Sequence, residues 1–163
     1  MAEYQPKTYR TDGGDTMVIA AGGKVKVEQA DGIDAGKYMK VAVGDLAKGN
    51  ADAYAFAWQN PEAAKILVHR LLVDVTTAGG TGSSVLDAGR AATATTESDD
   101  LIDGANLNAV ALYDNISDGG TNGESRAKLD EKGGSNDHIT GRIKTANAAA
   151  LAGKYYIYYT VVS

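Results

Sequence analysis

The chain has 163 residues, 44% of them apolar, with 20 Gly, nine Tyr, one Phe, one Trp and no Cys. Sixteen basic against 21 acidic residues give a formal net charge of −5, and no stretch concentrates Lys or Arg, so nucleic acid and anionic membranes are excluded as expected partners. No run reaches the roughly 20 apolar residues of a membrane span, MAEYQPKTYR lacks the apolar stretch of a secretory signal, and the lack of Cys removes disulfides, thiolate metal sites and thiol nucleophiles, so a soluble protein is expected.

Such a length suits one ordinary domain, but large core-forming side chains are scarce and any core should be thin. Tyr offsets the deficit, because its ring is apolar and its hydroxyl seeks a polar partner, which suits half-buried faces and subunit interfaces.

Residues 1–30 form an arm with a texture of its own. A polar start carrying Pro6 leads to Asp12-Gly13-Gly14-Asp15, then to Met17-Val18-Ile19-Ala20, Gly22-Gly23 and the alternating Lys24-Val25-Lys26-Val27-Glu28. Two short strands joined at Gly22-Gly23 are expected, since paired glycines supply the positive φ of tight hairpin turns. A lone hairpin is marginal in water, so the arm should pack on a partner, on the main body or on symmetry mates, the alternative being an unpacked tail.

Residues 31–62 read as a connecting β segment with strands at Tyr38–Val43 and Ala53–Trp58, and Asn60-Pro61 marks a turn and a boundary. Alternation puts Tyr54, Phe56 and Trp58 on one strand face. A stripe of that kind suits core or interface, with a sugar-stacking platform as the alternative.

Residues 63–163 read as a β-sandwich domain. Ile66 to Val75 is apolar on both faces and should be a central strand, with Leu67, Leu71, Val73 and Val75 pointing to the core. Further strands are expected at Ser83–Ala91, Leu107–Tyr113, Ser125–Leu129, His138–Lys144 and Tyr155–Val162, the last with tyrosines on both faces. Helix is confined to a turn near Pro61–Lys65 and to Ala146–Leu151, which equally suits a loop. The fold class is therefore mainly β, an antiparallel, jelly-roll-like sandwich with an N-terminal hairpin arm.

Catalytic parts are few. His69 lies in a core-patterned strand and should be satisfied or interfacial, and His138, in Asn136-Asp137-His138, should be exposed; no G-x-S-x-G elbow holds a serine. Gly79-Gly80-Thr81-Gly82 and Gly119-Gly120-Thr121-Asn122-Gly123 lack the lysine of a phosphate loop and read as hairpin loops. Glu97, Asp99, Asp100 and Asp103 are the best cluster for calcium, but the spacing does not fit the twelve-residue helix-loop-helix pattern and a solvated loop is the expectation. No catalytic residue, metal ligand or cofactor is assigned.

The opening Tyr4-Gln5-Pro6-Lys7-Thr8-Tyr9-Arg10-Thr11-Asp12-Gly13-Gly14-Asp15-Thr16-Met17-Val18-Ile19 resembles the N-terminal arm of small head proteins of tailed bacteriophages and prophages. Val73-Asp74-Val75-Thr76-Thr77-Ala78-Gly79-Gly80-Thr81, Asp99-Asp100-Leu101-Ile102-Asp103-Gly104 and Gly153-Lys154-Tyr155-Tyr156-Ile157 resemble the body of capsid decoration, head cement or head-fibre proteins. The resemblance spans most of the chain outside residues 31–62 and rests on turn and strand motifs. It implies a non-enzymatic cement protein, made in the host cytoplasm and bound as a trimer to the outer surface of the virion capsid, with the major capsid protein as partner. In that reading Tyr4, Pro6, Tyr9 and Arg10 contact the capsid, while Met17, Val18, Ile19, Val25 and Val27 form the trimer interface. The alternative is a carbohydrate-binding module or receptor-binding fibre domain, with a surface glycan as partner. A hydrolase on a β scaffold ranks last, for want of a nucleophile and base pair.

Overall fold

The computed structural model describes residues 8–10, 17–19, 38–80 and 82–162. The chain divides into two units, Met1–Ala35 and Gly36–Ser163. In the first, β1 (Thr8–Arg10) pairs antiparallel with β2 (Met17–Ile19), placing Tyr9 opposite Val18. Met17–Ile19 thus pairs with a strand that was not expected, and the Asp12-to-Asp15 run lies between the two in sequence. Gly22-Gly23 and residues 24–28 lie outside the described residues.

In the second unit the strands are β3 (Lys40–Asp45), β4 (Tyr54–Gln59), β5 (Ile66–Thr77), β6 (Val85–Ala91), β7 (Ile102–Asn106), β8 (Ala111–Asp114), β9 (Ala127–Leu129), β10 (His138–Lys144) and β11 (Ala152–Val161). No helix occurs among the described residues. One sheet has the order β4-β10-β6-β7; the other runs β3-β11-β5-β8, with β9 also on β5. Every pairing is antiparallel, and the pairs nest: β3 with β11, β4 with β10, β5 with β8 and β9, β6 with β7. One long antiparallel ladder rolled over itself gives this order, which is that of a jelly-roll sandwich. Residues 40–59, read from sequence as a connecting segment, supply an edge strand to each sheet. Asn60, fully buried, holds the turn between β4 and β5 by donating to the carbonyls of Ala64 and Asp130 while accepting from the Glu62 N–H.

Between the sheets lies one continuous aliphatic core that includes Ile66, Val68, Leu71, Val73, Val75, Leu86, Ile102, Leu129, Ile139, Ile143 and Ile157. The single Phe is its aromatic centre. Phe56 stacks on Tyr155 from the opposite sheet at 4.4 Å between ring centroids. Each ring lies over a glycine directly across its own sheet, Gly141 for Phe56 and Gly44 for Tyr155. A Cβ on Gly141 would come within 2.2 Å of the Phe56 ring, and one on Gly44 within 2.4 Å of Tyr155, so both positions must stay bare.

Two β-bulges correct the simple alternation. In β5 the register passes from Arg70↔Tyr158 to Val68↔Tyr159, leaving His69 as the extra residue. One extra residue moves all preceding side chains to the other face. Leu71, Val73 and Val75 do point inward, but the N-terminal half buries Ile66 and Val68, and Leu67 faces away. A similar shift in β4 pairs Phe56 with Gly141 but Tyr54 with Arg142. Tyr54 thus leaves the face it was expected to share with Phe56 and Trp58, and Ala55 is buried in the core.

Strand β7 was not expected. Its Asp103-Gly104 step, which reads as a turn, is a bulge opposite Asp87: the register skips from Leu86↔Ala105 to Ala88↔Ile102. Gly104 adopts φ +86°, and its N–H donates to Asp87 at 3.0 Å. Residues 146–151 form a loop whose Ala148 bridges to Gly49.

Candidate interaction surface

The outward faces of the two sheets differ. Over the four-stranded sheet, residues 92–100 form a polar cover. The Tyr54 hydroxyl donates to the Thr95 carbonyl and the Thr140 hydroxyl to the Thr96 carbonyl, both at 2.7 Å. Glu97 pairs with Arg142 and, at 3.2 Å, with Lys144. Ser98 and Asp100 sit directly on Gly89, and Asp100 takes Arg90 Nε at 2.6 Å. Thr140 is left only 1% exposed although it points away from the core.

No such cover lies over the five-stranded sheet among the described residues. Its register sets three outward rows: Val43, Tyr156, Leu72 and Asp114; Val41, Tyr158 and Arg70; and Asp45, Lys154, Asp74 and Leu112. Val41 and Val43 are each 53% exposed and Leu112 58%, with Tyr38 and Met39 exposed beside them. Met39, His69, Arg70, Leu72 and Tyr158 line an open hollow of about 370 Å³ on this face. Apolar exposure continuous over neighbouring strands marks an interaction site, whereas scattered apolar residues do not.

Several charges on this face are paired within the chain. Arg70 Nε donates to Asp114 at 2.8 Å, and Nη2 reaches the same oxygen. Burial would push the Asp114 carboxyl up, but Arg70 and the Ile116 N–H outweigh it and hold the group below its ordinary range. Lys154 pairs with Asp45 at 2.6 Å. At the end of β3, Glu62 accepts from Lys40 at 2.8 Å and from the Tyr159 hydroxyl at 3.1 Å. The Lys40 hydrogen bond lowers Glu62 against the effect of burial, and burial with the adjacent carboxylate pushes Tyr159 up to about 12.

Of the residues singled out for capsid and trimer contacts, Tyr9 and Arg10 lie on β1 and Met17, Val18 and Ile19 form β2. Tyr4, Pro6, Val25 and Val27 lie outside the described residues. Trp58 packs at 5.4 Å on Tyr159, and Tyr155 is in the core stack, so neither offers an open sugar platform. Tyr156 and Tyr158 are the tyrosines on the outward face. His69 Nε2 sits 2.9 Å from Thr160 Oγ1, a satisfied histidine at the bulge. His138 departs from expectation: it is half-buried, 2.5 Å from the buried Asp137, which also accepts from Gln59 and the Gly133 N–H. Burial raises the Asp137 carboxyl, and these three donors more than reverse it.

Within the acidic stretch, Asp99 and Asp103 share the Asn122 amide, Asp100 holds Arg90, and Glu97 holds Arg142 and Lys144. Among the described residues, no group of three or more His, Asp or Glu side chains is placed to hold a metal ion. Sequence reasoning missed Val41, Val43, Leu72 and Leu112 as a surface because strand alternation alone does not say which outward face is covered by a loop.

No protein-family model and no curated protein matches the chain. Two solved structures are similar to it. One is described as "Capsid of Ralstonia phage GP4", with 12% identity, a TM-score of 0.52, and coverage of 84% of this chain and 93% of that one. The other, "Cyanophage Pam1 capsid asymmetric unit", has 18% identity, a TM-score of 0.46, and coverage of 83% and 93%.

Proposed function

We propose that the chain is a non-enzymatic structural protein of a tailed bacteriophage or prophage, which binds the outer capsid surface as a decoration protein and stabilises the head. The observation that carries this reading is an exposed apolar and aromatic face, covered by no described residue, on a jelly roll whose architecture, over 84% of its length, matches a chain from a phage capsid. A fold alone hosts many functions, and jelly rolls serve both capsids and lectins, so the surface has to decide between them. A face of Val, Leu and Tyr suits docking on protein, whereas the packing of Trp58 on Tyr159 and of Tyr155 on Phe56 takes those rings away from a glycan site and leaves it only Tyr156 and Tyr158.

In this proposal the arm with β1 and β2 makes the contact to the major capsid protein and holds three copies together. Three linked arms raise the effective affinity of each weak contact. The test is to mix purified protein with heads lacking it, from the phage that encodes it, and to measure co-sedimentation and the heat stability of the heads. Saturable binding with a raised rupture temperature is expected; heads that neither bind nor gain stability would overturn the proposal. Removal of residues 1–15 should abolish binding and leave the sandwich folded, and unchanged binding would move the contact off the arm.

A further inference from the structure

A sheet edge presents unpaired N–H and C=O groups, and proteins blunt such edges with short strands, bulges, prolines or charges. Three of the four edges of this sandwich are blunted. β4 carries the bulge at Ala55, and the Ala47 N–H bonds the Ala55 carbonyl. β7 carries the bulge at Asp103-Gly104, and the Asp103 N–H bonds the Gly119 carbonyl. The fourth edge is split between β8 and β9, of four and three residues. β3 has none of these devices: six residues in unbroken register with β11, no proline, and terminal charges Lys40 and Asp45 neutralised by Glu62 and Lys154.

The hydrogen-bonding groups of β3 that no described residue takes up can be assigned. The Leu46 N–H donates to the Gly153 carbonyl at 2.9 Å, in line with the ladder that pairs Asp45 with Lys154. Antiparallel bonding alternates, so residues 44, 42 and 40 also bond to β11, and Val41 and Val43 direct their N–H and C=O away from the sheet. These are the same two residues whose side chains stand exposed on the outward face.

We propose that β3 pairs antiparallel with β3 of a second copy about a two-fold axis centred on Ala42, joining the two five-stranded sheets edge to edge. Both copies keep their apolar faces on one side when outward-directed residues oppose one another, and with Val41 opposite Val43 of the partner subunit these groups bond in pairs. This register sets Lys40 opposite Gly44 of the partner subunit and Asp45 opposite Met39 of the partner subunit, so no like charges meet. The outward row then runs from Tyr158 and Val41 into Val43 and Tyr156 of the partner subunit. The edge is complementary to itself, and a two-fold axis satisfies both halves at once. This contact is separate from the arm and stands whether or not the chain decorates a capsid.

The test uses the full chain. Sedimentation equilibrium should give a mass that is an even multiple of 16.9 kDa. Val43→Pro deletes one outward N–H without touching the bonds to β11, a position where an edge strand accepts proline, and should halve that mass with the far-ultraviolet dichroism unchanged. An odd multiple, or the same mass in Val43→Pro, would overturn the proposal. Should Val43→Pro misfold, Val41→Lys reads the same halving. Hydrogen exchange on the unmodified chain decides independently: the Val41 and Val43 amides should gain protection as concentration rises. Protection equal at every dilution would mean that the chain covers its own edge, and would equally overturn it.

Discussion

The two outward faces of this sandwich invert the usual assignment of polar and apolar residues. Thr140, pointing away from the core on β10, is 1% exposed, while Leu112, pointing away from the core on β8, is 58% exposed. Both occupy outward positions on antiparallel strands, and the difference lies in what passes above them. Residues 92–100, rich in Thr, Ser and acidic side chains, return over the four-stranded sheet and supply carbonyl and carboxylate acceptors to Tyr54, Thr140, Arg142 and Lys144. A face covered by backbone must be polar to satisfy that backbone. The face that no described residue covers is the one that carries Val, Leu and Tyr, as a surface meant for another chain would.

The interior sets the upper limit for any effect on either face. Phe56→Ala removes the ring that joins the sheets through Tyr155, leaving a cavity walled by Gly141 and Gly44 that cannot collapse easily, and should cost about 3–5 kcal/mol in urea unfolding. A loss under about 1 kcal/mol would mean that the aromatic stack is not what holds the sheets together.

Acid should act next. Glu62, Asp114, Asp130 and Asp137 are all held below their ordinary values, 4.5 for Glu and 3.8 for Asp. A carboxylate whose folded pKa is depressed binds protons more readily when unfolded, so its contribution is complete above the ordinary value and is lost as pH falls through the folded one. Asp87, pushed up by burial, works the other way, since its ionisation at higher pH disfavours the fold. With four groups against one, Tm should be flat from pH 7 to 5 and drop steadily below about 4.5. The variant Glu62→Gln should shrink that drop, and an unchanged profile would show that the Lys40–Glu62–Tyr159 network is not part of it.

Much of this architecture was legible in the chain. His138–Lys144 forms at the expected bounds, and β5 is central because Ile66 to Val75 is apolar on both faces. What alternation could not reveal were the bulges. An extra residue at His69 or Ala55 leaves the sequence pattern intact while exchanging the faces, so Leu67 and Tyr54 were placed on the wrong side. Strand β7 was hidden for a related reason: Asp-Gly is a strong turn signal, and only the long-range acceptor on Asp87 makes a bulge of it. The interaction surface was illegible because whether a face is covered depends on where a distant loop comes to rest.

The last pair of predictions sets the two outward faces directly against each other. Thr140→Val keeps the shape of the side chain and removes the hydrogen bond from a buried hydroxyl to the carbonyl of the exposed Thr96, which can turn to water, so it should cost about 0.5–1.5 kcal/mol, the net worth of an ordinary intramolecular hydrogen bond. Leu112→Thr deletes a larger apolar side chain, yet an exposed strand position on an uncovered face has little burial to lose, and the change should stay within about 0.5 kcal/mol. Urea melts of both variants in the same buffer check the order. Should Leu112→Thr prove the costlier change, its side chain must be buried by something in solution, and repeating that melt at tenfold dilution separates cover by the chain itself, which is insensitive to concentration, from cover by a second molecule, which is not.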